Sequence, residues 1–146
     1  MDTVIEGNDI WFVARVTRPD NVVLSRAEIE GGGAGTNADA FQVRVYDISK
    51  DSLATGVNGR QVHTENIADN ALTSILLIAT SSDALTNDGY WNGLDDTGYN
   101  FRYRLEFDSG KYEAGHRYMA EFAFETTGYG TIRWAQDIYM RSLLST

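Results

Sequence analysis

The run FRYRLEFD alternates without a break: Phe101, Tyr103, Leu105 and Phe107 fall on one side, and Arg102, Arg104, Glu106 and Asp108 on the other. A period of two is the repeat of an extended strand, and a strand with one apolar and one charged side rests on a core with its other side in water. RYMAEFAFE repeats the pattern, with Tyr118, Ala120, Phe122 and Phe124 inward and Arg117, Glu121 and Glu125 outward. TIRWAQDIYM continues it through Ile132, Trp134, Ile138 and Met140. The links SGKYEAG and TGYG carry glycines, which adopt positive φ at no steric cost, so the three runs read as a C-terminal meander. Its inward residues, from Phe101 to Trp134, are expected in the core.

The N-terminal half is patterned less cleanly. DIWFVARVT places Ile10, Phe12 and Val16 on one face, and Pro19 presets φ at the second position of a turn over RPDN. FQVRVYDIS offers Phe41, Val43 and Val45 against Gln42, Arg44 and Tyr46. Between these runs, EGGGAGTNADA has too few apolar side chains to pack and is expected to be a mobile surface loop. Asn58 and Gly59 suit a type I′ hairpin turn. ALTSILLIA fits either a buried strand or a short helix. The pattern amounts to about seven to nine short strands separated by turns, with no sustained helical period. It predicts an all-β fold, an antiparallel β-sandwich of immunoglobulin-like type, with a jelly-roll as the alternative.

With 146 residues, the chain 1–146 is expected to form a single domain. Twenty-one acidic side chains against twelve Lys and Arg leave a formal charge of −9, which repels phosphate backbones and anionic lipid. Nucleic acid and membrane are therefore not expected partners. The longest apolar run, Ile75 to Ala79, is too short to span a bilayer, and MDTVIEGNDI has neither the basic nor the apolar region of an export signal. Without cysteine there are no disulfides or thiolate metal sites, which suits synthesis in a reducing cytoplasm.

Adjacent Asp95 and Asp96 invite a metal-site reading. A calcium loop started at Asp95 places Glu106 twelfth, but Thr97 and Tyr99 stand at the third and fifth positions and Asn100 where glycine is required. NGLDDTGYN is more simply a pair of Asx-type turns, in which side-chain oxygens accept from backbone amides two residues on. Gly33 to Ala38 matches a loose dinucleotide pattern, yet a strand rather than a helix follows it, so no cofactor is expected. His63 and His116 belong to no local motif, and His116 reads as an ordinary exposed histidine. Nucleophile-elbow, zinc-protease and phosphate-loop motifs are absent, and neither catalytic residues nor bound metal are expected. Among the tryptophans, Trp134 is in register with core residues. Trp11, out of phase with Ile10 and Phe12, and Trp91, in the turn-rich DGYWNG, are the candidates for an exposed contact.

The succession GNDIWFVARVTRPDNVVLSRAEI, VRVYD, a tryptophan followed by DDTGYNFRY, and GHRYMAEFAFETT resembles small immunoglobulin-like β-sandwich proteins among the virion structural proteins of tailed bacteriophages. The resemblance implies a non-catalytic subunit of the virion, made in the host cytoplasm and repeated in an assembly or homo-oligomeric. It would decorate or cement the head, or join neck and tail, and its partners would be major capsid, neck or tail subunits. Leu143 and Leu144, just beyond the last alternating strand, and the glycine loop at 31–38 are then candidate contact segments, with Trp11 and Trp91. The alternative function is a carbohydrate-binding module, in which exposed rings stack on sugars.

Overall fold

A computed structural model describes residues 2–5, 9–49, 61–92, 94–106, 112–113 and 115–141. Their strands are β1 (Asp2–Ile5), β2 (Asp9–Ala14), β3 (Phe41–Asp47), β4 (Gln61–Ile67), β5 (Phe101–Glu106), β6 (Arg117–Glu125) and β7 (Thr131–Arg141). One sheet runs in the order β1-β7-β6-β3-β4 and the other is the pair β2-β5. All pairings are antiparallel except that of β1 with β7. No α-helix occurs among the described residues, which form an all-β molecule with the two sheets face to face.

The alternation predicted from sequence sets which side each strand buries. Phe41, Val43 and Val45 of β3 are buried while Gln42, Arg44 and Tyr46 are not; Phe101, Tyr103 and Leu105 of β5 do the same. The centre is aromatic. Phe122 meets Phe12 and Phe101 edge-on, at 5.2 and 5.0 Å between centroids, and Trp134 at a tilt at 5.3 Å, so both sheets converge on one ring. Of the three runs expected to form one C-terminal meander, only β6 and β7 pair with each other, with Phe122 opposite Trp134. β5 crosses to the other sheet and pairs with β2, because alternation fixes the face a strand buries and not its neighbour. Ile132 and Trp134 are half-buried rather than buried, because a two-stranded sheet is too narrow to cover a five-stranded one. Phe107, expected in the core, and the Asn58–Gly59 turn lie outside the described residues.

At the sheet edge, Tyr103 bridges the layers by a polar contact: its hydroxyl donates to Glu65 of β4 at 2.5 Å and lies 3.2 Å from His63 Nε2. Tyr118, fully buried at the start of β6, reaches back along the chain. Its hydroxyl accepts from the Glu113 amide at 2.6 Å, and burial pushes that hydroxyl up to about 12.

Three connections depart from, or sharpen, the sequence reading. The RPDN turn forms as expected, closed by the Asn21 amide donating to Arg18 O at 3.0 Å. ALTSILLIA is neither strand nor helix: after a 3₁₀ turn at Asp69–Ala71 it makes one helical turn and then runs irregularly beside β5, its Leu77 amide donating to Asn100 O. Leu72, Ile75 and Leu76 have helical spacing and Ile78 alternates with Leu76, which is why both readings fit, and all four are buried. The glycine loop, expected to be mobile for want of apolar anchors, is held by a polar one. Asp69, 5% exposed, accepts backbone N–H bonds from Gly33, Gly35 and Asn37. Burial alone would raise the Asp69 carboxyl, and the three amides outweigh it and leave it lowered.

Asn100 joins what no strand pairing reaches. Fully buried beside β5, it accepts from the Val16 amide at 2.7 Å and donates to the carbonyls of Val16 and Leu24, each at 2.8 Å.

Candidate functional site

The β2–β5 pair turns Ile10, Phe12 and Ala14 inward with Leu105, Tyr103 and Phe101 opposite them. By the pleat, its other face carries Asp9, Trp11 and Val13 beside Glu106, Arg104 and Arg102. Trp11 is thus on the outer face, as its phase predicts, and half-buried. The Arg102 guanidinium sits 4.8 Å over its ring, and Tyr90, 54% exposed, lies 6.1 Å from it. Leu94, 66% exposed, follows in the same 86–98 segment. Arg104 pairs with Asp9 and, at 3.5 Å, with Glu106, which closes the surface with charge. Two neighbouring rings and an arginine beside charged residues are the make-up of a contact surface, since aromatic side chains bring large area at little conformational cost.

Trp91 requires a correction. It is 7% exposed, packed on Tyr99 at 5.8 Å between centroids, with the Arg15 guanidinium 5.2 Å from its ring. Its indole N–H donates to Asp95 Oδ1 at 2.9 Å. These contacts turn its ring away from solvent and tie the 88–98 segment to Tyr99 and Arg15. Tyr90, its neighbour, takes the exposed position. DGYWNG was the signal for both, but a turn gives no phase by which to tell one ring from the next.

Asp95 is turn chemistry. Its Oδ1 accepts from the Thr97 amide at 2.8 Å and the Gly98 amide at 3.2 Å, and both carboxylate oxygens bind Arg15. Gly98, at φ +104, is required because a Cβ would overlap the Thr86 carbonyl. Of the pair of Asx turns expected in NGLDDTGYN, the described residues show the one at Asp95; Asp88, ahead of that run, makes another by accepting from the Tyr90 amide at 3.0 Å. Asp88 also accepts from Tyr99 at 2.8 Å; burial first, and then this carboxylate, push the Tyr99 hydroxyl up to about 12.

The Arg15 guanidinium, and after it the Trp91 indole, hold the Asp95 carboxyl well below the usual carboxylate range. A group whose pKa is lowered on folding contributes stability above its ordinary value of 3.8 and loses it as pH falls below that. Asp95→Asn should therefore lower the melting temperature at neutral pH, equally in calcium and in chelator, and the gap to wild type should close in acid. Thermal melts of both proteins across pH check this. A calcium-dependent rise lost in the variant would reinstate the metal reading.

His116 is not the ordinary exposed histidine expected. Its Nδ1 lies 2.7 Å from Oδ2 of Asp47, a partner 69 residues away that no local motif could reveal. Leu143 and Leu144 lie outside the described residues. Comparison with known protein families, with curated proteins and with solved structures found no match for this chain.

Proposed function

We propose that this chain is an immunoglobulin-like sandwich that acts through protein contacts rather than catalysis, as a decorating or joining subunit of a tailed-phage particle, with Trp11, Tyr90, Leu94 and Arg102 as its contact surface. The observation that carries the reading is that surface: two rings, an exposed leucine and an arginine stacked on one of the rings. The immunoglobulin-like assignment is preferred to the jelly-roll on two grounds. The order β7-β6-β3-β4 opposite β2-β5 matches the G-F-C-C′ sheet opposite B-E of variable-type domains. Tyr118, bonded to the backbone of Glu113 from the start of β6, matches the tyrosine corner of such sandwiches. The phage assignment rests on the sequence resemblance.

Tyr90 and Leu94 are exposed enough to be replaced without loss of the fold, so Tyr90→Ser with Leu94→Ser tests the surface. Wild-type chain should co-sediment with assembled heads or tails, and the variant should be lost from them, since removing a central aromatic anchor costs about 2 kcal/mol or more of binding. Retention of the variant would clear this surface of the role. The same rings admit the carbohydrate reading, because Trp11 and Tyr90 present apolar faces. A glycan array run with both proteins decides it: specific glycan binding lost in the variant would favour the module.

A further inference from the structure

We propose that Asp47, Glu113 and His116 form a binding site for a divalent transition-metal cation of the zinc class, which clamps the end of β3 to the chain leading into β6. This is separate from the contact surface and does not depend on it.

The donors converge. His116 Nδ1 is 2.7 Å from Asp47 Oδ2 and 3.2 Å from Glu113 Oε2, and one ligand atom from each of the three residues lies within 4.8 Å of the other two. Zinc bonds of about 2.0–2.2 Å in tetrahedral geometry put neighbouring ligand atoms about 3.3 Å apart. The Glu113 contact already has that spacing, and the Asp47 contact reaches it by opening about half an ångström as the cation replaces the shared proton.

The anchoring ligand is set in place. Asp47 is 1% exposed, and its other oxygen, Oδ1, accepts from the Ser49 amide at 3.0 Å, which aims Oδ2 at His116. Outer contacts of this kind hold ligands in metal sites. The backbone around it is tied down as well: Asp47 pairs with Tyr118 across β3 and β6, the Ile48 amide donates to Arg117 O, and the Arg117 amide donates to Ser49 Oγ at 2.7 Å. Glu113 is 57% and His116 29% exposed, so a cation can reach the cluster from solvent.

The donor chemistry selects the ion. One imidazole nitrogen and two carboxylate oxygens suit zinc, cobalt or nickel, whereas calcium and magnesium take all-oxygen sets. The same side chains could instead serve only one another, as a histidine held between two carboxylates, and the experiment is chosen to separate these cases.

Zinc chloride is titrated calorimetrically into the metal-stripped full chain at neutral pH, with parallel thermal melts. The expected result is saturable one-to-one binding and a rise in melting temperature that grows with zinc concentration, as follows when an ion binds the folded state alone. Calcium and magnesium should produce neither. Glu113→Gln and His116→Gln should each weaken zinc binding by about tenfold or more. Glu113→Gln changes an exposed side chain, so its melting temperature without metal should match wild type and keep the loss of binding interpretable. Absence of saturable binding would overturn the proposal, as would an affinity unchanged in both variants, which would place the zinc elsewhere on the chain.

Discussion

Replacing Phe122 with alanine is expected to destabilise the protein by about 3–5 kcal/mol, the range for removing a buried phenylalanine and leaving its cavity. The upper part of that range is favoured by position. Phe122 is 1% exposed and touches the rings of Phe12, Tyr103 and Phe101 from the smaller sheet and of Phe41 and Trp134 from its own. Five aromatic neighbours held by two pleated backbones cannot close on the vacancy together, so the cavity term survives relaxation. Urea unfolding of wild type and variant measures the difference. A loss below about 1 kcal/mol would mean that the two sheets do not meet at this ring.

Asn100 should be nearly as sensitive, for a different reason. Asn100→Ala removes the side-chain partner of the Val16 amide and of the Leu24 carbonyl, both buried, and one of the two bonds to the Val16 carbonyl, which keeps the Leu24 amide at 2.9 Å. Leaving buried polar groups unsatisfied costs about 1–3 kcal/mol each, and with water reaching some of them a total of about 2–5 kcal/mol is expected. Asn100→Asp is the informative companion. It keeps the acceptor for the Val16 amide but aims a carboxylate oxygen at two carbonyls, so it should be no better than alanine despite its near-identical shape. An aspartate variant as stable as wild type would show that the two carbonyl bonds contribute nothing.

Much of this architecture is legible from residue order. Alternation in β3, β5 and β6 specified which side each strand buries, because a period of two admits only two choices of face and burial of phenylalanine decides between them. The same logic put Trp11 on the outside, and local turn chemistry placed the RPDN turn and the Asx turn at Asp95, since those bonds close within a few residues. Where the pattern was mixed, as in ALTSILLIA, two periods overlapped and neither element formed.

What residue order could not decide depends on partners far along the chain. Trp91 is buried because Tyr99 and Arg15 cover it, the glycine loop is held because Asp69 reaches it from 32 to 36 residues away, and Asn100 binds backbone 76 and 84 residues distant. Asp47 and His116 meet only because β3 and β6 are neighbours in the sheet. Hydrophobic periodicity is carried by each strand alone, whereas a polar side chain takes its role from whatever donor or acceptor the assembled sheets bring within 3 Å or so of it. The faces of the strands were therefore determined by the sequence itself, and the polar contacts that join them, including the donors of the proposed cation site, were decided by the tertiary structure.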